Sequence, residues 1–301
     1  MTGRSSEPSN GDQDPAPYVV VTPVRNEEKY VEQTIRSMLN QTMPPAEWIL
    51  VDDGSTDRTP QILRRYALEV PWLRVVTRAD RGFRASGRGV VDAFYEGYRH
   101  LRSQDWDYIV KLDGDLVFDN DYFEQCLQRF ARNPRLGIAG GTIESVGRNG
   151  LERESHPMFH VRGATKIYRR RAWEEIGGVA SAPGWDGLDE IKASMRQWET
   201  RTFSDLILRQ LRTTGSAQGQ WSDWLKRGEG CYLIGYHPVF LLARSIVRAR
   251  RSPHLVASAG LLVGYLRALL KRLPRAADVE TVAYVREQQI ARLLGRETIW
   301  R

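Results

Sequence analysis

Four short apolar runs rich in β-branched residues, each followed by a stretch with helical spacing, constrain this chain more than any other feature. Tyr18-Val19-Val20-Val21-Thr22, Trp48-Ile49-Leu50-Val51, Leu73-Arg74-Val75-Val76 and Tyr108-Ile109-Val110-Lys111-Leu112 read as strands. Val31, Ile35, Met38 and Leu39 mark one helix face, and Val90, Ala93, Phe94, Gly97 and Tyr98 another. Asp57-Arg58-Thr59-Pro60 opens the helix between them. Asn26 reads as the N-cap of the first helix, with Glu27 and Glu28 in its opening turn. A further helix is expected over about residues 121–132. Such alternation predicts an α/β fold with a parallel sheet covered on both faces, whose ligands bind at the carboxyl ends of the strands.

That rule brings residues 23–27, 52–55 and 113–115 to one edge of the sheet. Side chains alternate along an extended segment, so Asp113 and Asp115 can face the same way, and Gly114 leaves room for a turn or a ligand. Two close carboxylates repel unless a cation lies between them, and a hard divalent metal suits oxygen ligands. A strand end with two solvated aspartates explains the same short pattern equally well. No G-x-G-x-x-G follows the first strand, where Pro23-Val24-Arg25-Asn26-Glu27 stands instead, so a dinucleotide site is disfavoured.

The 301 residues suffice for one large domain, and the formal net charge of +7 points to an acidic partner such as a nucleotide, a phosphorylated lipid or an anionic membrane. Cys126 and Cys231 match no metal spacing, which favours a reducing, cytoplasmic setting. Residues 1–17 are polar and read as a disordered leader, not a signal peptide.

Val21-Thr22-Pro23-Val24-Arg25-Asn26-Glu27, then Val51-Asp52-Asp53-Gly54-Ser55-Thr56-Asp57, then Asp113-Gly114-Asp115 resembles the family 2 glycosyltransferases of the GT-A fold, over about residues 18–214. The resemblance implies a Rossmann-like, mostly parallel sheet flanked by helices over residues 18–220. It implies a hexosyltransferase-like activity (EC 2.4) with a nucleotide-diphosphate-sugar donor, a Mg²⁺ or Mn²⁺ ion and inversion at the anomeric carbon. By the same resemblance Asp115 is the leading metal ligand, and Asp113 contacts the ribose or, through water, the metal. Pro23 and Arg25 would line the base pocket, Glu27 would accept from a ribose hydroxyl, and Asp52 or Asp53 would contact the base or ribose while the other ties down the turn. Arg81, Arg84 and Arg88 are candidates for the diphosphate's remaining charge. Each has a plainer reading: Asp52 and Asp53 as turn formers, Glu27 as a first-turn acid, the arginines as a solvated basic loop.

The proton acceptor is less clear. After a Gly-Gly turn, here Gly177-Gly178, the family carries an acidic pair, often Glu-Asp. This chain has Asp189-Glu190, the reverse order, which puts Asp189 slightly ahead of Glu190, with Asp186 an outsider. A helix-opening acid pair explains the same residues. The Gln-x-x-Arg-Trp of processive synthases is replaced by Gln218-Gly219-Gln220-Trp221, which favours transfer of a single sugar. His156 is a minor option for a further metal ligand.

Residues 221–301 are expected to form a helical extension. Residues 255–266 are uncharged and precede Arg267, Lys271 and Arg272, too short an apolar run to span a bilayer but suited to lying on an anionic membrane surface. Packing on the catalytic domain or a dimer partner accounts for the same pattern. A peripheral enzyme on the inner membrane face, with a hydroxyl-bearing acceptor that a polyprenyl carrier could present, is the main expectation. Nucleotidyl transfer lacks its Gly-rich loop, and a non-enzymatic nucleic-acid binder lacks interleaved aromatics and a reading motif, so no nucleic acid is expected.

Overall fold

The computed structural model describes residues 16–80, 82, 88–147, 150–154, 156–182, 184–212, 220–250 and 254–299. Strands β1 (Tyr18–Val24), β2 (Glu47–Asp52), β3 (Leu73–Thr77) and β4 (Tyr108–Leu112) pair in parallel in the spatial order β3-β2-β1-β4. Beyond β4 the sheet becomes mixed. The remaining strands are β5 (Leu116–Phe118), β6 (Leu136–Gly147), β7 (Gly150–Arg153), β8 (Thr165–Arg169) and β9 (Glu199–Gln210). β8 lies antiparallel between β4 and β6, β9 runs parallel to β6, β5 closes antiparallel on β9, and β7 pairs with β6. The change has a simple cause. Only Asp113, Gly114 and Asp115 separate β4 from β5, far too few for a crossover helix, so β5 joins a different strand.

Alternation sends successive strand residues to opposite faces, and both faces are covered. Val20, Leu50 and Val110 join one apolar cluster with Val31 and Ile35 of α1 (Val31–Leu39), Leu63 of α2 (Thr59–Glu69) and Phe123 of α4 (Tyr122–Arg132). Val21, Val51 and Ile109 join the other with Phe94 of α3 (Arg88–Arg99), Trp173 of α5 (Arg170–Ile176) and Trp185 of α6 (Trp185–Met195). The first helix starts later than expected. Tyr30 occupies its N-cap position, and Asn26, at φ 53°, sits before it in a loop. The Asn26 Oδ1 accepts from the Thr56 amide at 2.8 Å, so its side chain pins the neighbouring turn and caps no helix.

From residue 220 onward the described chain is helical: α7 (Gln220–Ile234), α8 (Pro238–Ala249), α9 (His254–Leu270) and α10 (Val279–Leu293). A Cβ at Gly228 of α7 would stand on the Leu261 carbonyl, and one at Gly264 of α9 on the Leu225 carbonyl, so these helices meet backbone to backbone. Leu188 and Ile191 of α6 share an apolar cluster with Ile234 of α7 and Val285 of α10, which fastens the helical region to the sheet domain. Among the described residues no helix is long and apolar enough to cross a membrane.

Candidate active site

The three stretches do meet at the carboxyl edge of the parallel strands. Gly114 is required there: a Cβ would come within 2.5 Å of Val24 Cγ1 at the end of β1. The close approach puts Asp115 among other acids. Its carboxyl is buried and pushed up to about 7, first by loss of water and then by the charges of Asp113 and Glu27. Gln210 Nε2 donates to Asp115 Oδ2 at 3.3 Å, and Arg212 pairs with Glu27 and lies 3.7 Å from Asp115, a partial counterweight from the end of β9. Asp113, more exposed, pairs with the buried Lys111, whose ammonium also donates to the Gly163 carbonyl at 2.5 Å.

Among the described residues no group of three or more metal-type side chains is arranged to enclose an ion. Two carboxylates on one short turn nevertheless suit Mg²⁺ or Mn²⁺, which take one or two protein carboxylates and complete their shell with water and substrate phosphate. The raised Asp115 carboxyl is the observation that fits: acids crowded enough to hold a proton are acids that a hard cation would satisfy.

The turn after β2 is built from Asp52 and Asp53. Asp52 Oδ1 accepts from the Ser55 amide at 2.9 Å, and Gly54 holds φ 73° with Asp80 backbone pressed against it, where a side chain has no room. Asp53 pairs with Arg78 at 2.7 Å, and its carbonyl accepts from Arg25, which also pairs with Asp80 at 2.6 Å. Arg25 therefore braces this turn, while Pro23 stands half-buried on β1 beside Val51. Arg88 pairs at 3.7 Å with Asp92 on its own exposed helix face. Arg81, Arg84 and the Gln218-Gly219 pair lie outside the described residues, as does the leader apart from residues 16 and 17.

The acidic pair on α6 occupies a different environment from the rim. Asp189 is fully buried: both its oxygens accept from Lys166 Nζ at 2.8 and 2.9 Å, and Tyr168 donates to one of them at 2.6 Å. Burial pushes its carboxyl up to about 6, with Lys166 pulling the other way. Glu190 takes Lys166 at 2.9 Å and the Val161 amide at 2.7 Å on one oxygen, and His160 at 3.0 Å on the other. A buried ammonium loses several kcal/mol of hydration, which two carboxylates and a carbonyl offset here. Asp186, on the first turn of the same helix, is half-exposed. Its Cβ lies 3.3 Å from the position a Gly163 side chain would take, and Gly163-Ala164 bonds to both Lys111 and Asp113. Asp186 thus stands beside the rim, whereas Asp189 is turned into the protein and Glu190 toward Lys166 and His160. His156 stacks edge-on with His160 at 5.3 Å and faces the helical region.

Lys111 and Lys166 were not singled out from the sequence, although a signal was present. A lysine inside a run of otherwise apolar strand residues, as in Tyr108-Ile109-Val110-Lys111-Leu112, is buried only when acids await it.

The His160–Glu190 pair gives a pH test. Burial pulls the imidazole down, but Glu190 outweighs it and holds the ring above its ordinary value. A raised folded-state value adds stability that is fully present below about pH 6.5 and fades as pH rises through the folded-state value. His160→Gln is therefore expected to flatten the fall in urea midpoint between pH 6 and pH 8. An undiminished slope would show that the pair does not carry it.

Comparison with known proteins bears on the family and the fold. Residues 19–183 match the family described as Glycosyl transferase family 2. A chondroitin synthase of Pasteurella multocida (strain Pm70) is 28% identical over 170 residues, covering 53% of this chain and 17% of that protein. A poly-beta-1,6-N-acetyl-D-glucosamine synthase of Staphylococcus epidermidis is 31% identical over 171 residues, covering 50% of this chain and 39% of that protein. The chain thus spans well under half the length of these curated relatives. Among solved structures, a mannosyltransferase from Pyrobaculum calidifontis in complex with GDP-Man and Mn²⁺ superposes with a TM-score of 0.53 at 17% identity, covering 93% of this chain and 81% of that one. S. aureus TarS 1-349 in complex with UDP-GlcNAc gives 0.52 at 16% identity, covering 93% and 92%. At these identities the likeness is one of fold.

Proposed function

The chain belongs to glycosyl transferase family 2, and from that premise we propose that it moves one sugar from a nucleoside-diphosphate-sugar donor to an acceptor hydroxyl, with inversion, in polysaccharide or glycoconjugate assembly. The observation that carries this reading is the convergence of Glu27, Asp113 and Asp115 at the strand ends, with Asp115 pushed up to about 7. Asp115 and Asp113 would hold Mg²⁺ or Mn²⁺ on the donor diphosphate, and the bound ion would offset the negative charge that grows on the leaving phosphate. The Asp52–Asp53 turn, braced by Arg25 and Arg78, receives the base and ribose; Glu27 accepts from a ribose hydroxyl.

In the reaction the bond from the anomeric carbon to the phosphate oxygen breaks, a bond to the acceptor oxygen forms on the opposite face, and the hydroxyl proton goes to a carboxylate. Asp186 is assigned that role in place of Asp189. It is half-exposed and beside the rim, and no hydrogen bond to its carboxylate occurs among the described residues. Asp189 and Glu190 keep Lys166 buried and so hold α6 against β8. The test is proton NMR of products from α-linked nucleotide sugars and simple glycoside acceptors. A β-linked product supports the assignment; retention of the α configuration, or no transfer across the common donors, contradicts it.

Peripheral membrane contact is part of the same proposal. Leu242 and Ile246 of α8 and Leu266 and Leu270 of α9 are exposed, with Arg267 and Lys271 nearby in sequence. Because α9 is locked to α7, point changes test this better than truncation. Leu242→Glu combined with Ile246→Glu is expected to abolish co-sedimentation with anionic vesicles at moderate salt; unchanged co-sedimentation would move the contact elsewhere.

A further inference from the structure

A cavity of about 1820 Å³ separates the loop at residues 156–162 and α6 from α7, α8 and α10. One wall includes Gly187 and Glu190 of α6, so the cavity begins one residue from Asp186. Arg162, Arg227, Arg244 and Arg248 line it together, contributed by the loop, α7 and α8. Arg227 and Arg248 both stack on the Trp224 ring, at 4.6 and 4.8 Å, which orients two guanidinium planes. Of the acids in the walls, Glu190 holds Lys166 and Glu199 holds Arg135, whereas Glu154 pairs with Arg162 and offsets one of these charges, and Glu297 also lines the cavity. Like charges gathered around one cavity repel, although Arg227 and Arg244 themselves remain exposed to solvent. Arg227 feels this, its guanidinium held below its ordinary value by burial and by the charges of Arg162, Arg244 and Arg248.

We propose that this arginine-lined cavity binds a phosphate or diphosphate group carried by the acceptor. The identification of the anion's carrier as the acceptor rests on the transferase reading, because Gly187, which follows Asp186 on α6, lines the cavity. The anion class follows from the lining alone. Several guanidinium forks around one open cavity match phosphate oxygens, which accept paired hydrogen bonds and bring the charge that relieves the repulsion. The volume exceeds what a phosphate needs and leaves room for the sugar or lipid attached to it.

The experiment is thermal unfolding of the full chain in chelator, without nucleotide sugar, with inorganic pyrophosphate, farnesyl diphosphate or sodium chloride at matched ionic strength. A ligand that binds only the folded chain raises the midpoint. Pyrophosphate is expected to raise it above the salt control. A larger rise with farnesyl diphosphate identifies a lipid carrier as the source of the phosphate; an equal rise identifies a soluble one. Arg227→Gln and Arg244→Gln are expected to weaken pyrophosphate binding by about tenfold each, and Arg227→Lys by less, because it keeps the charge and loses the fork. Arg132→Gln, an exposed change on α4, is the matched control. No rise beyond salt, or equal binding by the parent and the cavity variants, overturns the proposal. If pyrophosphate binds here but no sugar is ever transferred, the transferase reading fails and the anion site stands.

Discussion

Asp115→Asn is expected to cut sugar transfer by about two to three orders of magnitude while raising the thermal stability of the metal-free protein. The loss follows because metal stabilisation of a leaving diphosphate is worth several kcal/mol, and ~1.4 kcal/mol is tenfold in rate. The gain follows from the raised carboxyl. A group lifted from 3.8 to about 7 in the folded chain contributes stability at low pH that is lost as pH rises through about 7. Above that pH the native protein carries an ionised, crowded acid that asparagine does not. Unfolding in chelator at pH 8 should therefore show a higher midpoint for the variant than for the parent, whereas at pH 4 the difference should shrink. General damage to the fold would lower both activity and midpoint. Near-normal turnover in the variant, or full turnover in excess chelator, would remove the metal from the account.

The second large effect separates the two aspartates of α6. Asp186→Asn is expected to reduce transfer by roughly 10²–10⁴, the usual contribution of a positioned base, with donor affinity and melting point close to the parent. Slow hydrolysis of the donor by water should survive. Asp189→Asn is expected to act on stability instead. It strips one carboxylate from the buried Lys166, and breaking a buried pair costs ~3–5 kcal/mol, with Glu190 keeping the loss toward the lower end. Unfolding midpoints and single-turnover rates measured side by side decide between them. A folded Asp189→Asn that binds donor and transfers nothing, next to a normal Asp186→Asn, would return the proton to Asp189.

The divergence between those two residues marks where the sequence ceases to inform. Strand and helix periods place Asp52, Asp53, Asp113 and Asp115 at one edge, because a parallel sheet leaves its strand ends nowhere else to go, and the family resemblance rests on those same residues. The acidic pair Asp189-Glu190 is singled out by the family resemblance, but facing inward or outward depends on α6 packing against β8, a contact between segments about twenty residues apart. Lys166 was the only local hint.

The same limit explains the arginines of the C-terminal helices. The sequence pattern offers a surface role to Arg267, Lys271 and Arg272 and none to the arginines of α7 and α8. The fold turns Arg227, Arg244 and Arg248 toward a shared cavity and leaves Leu242 and Ile246 outside. Asn26 is a smaller case. Its type and place suit an N-cap, yet its side chain serves the turn at Thr56, a partner thirty residues away that no local pattern names.

Calorimetric titration of nucleoside-diphosphate sugars into the full chain, with Mn²⁺ and then with chelator, tests the central claim most directly. The account predicts saturable binding of at least one donor that requires the ion and disappears in Asp115→Asn. Donor binding of equal strength in chelator, or undiminished in Asp115→Asn, would contradict it.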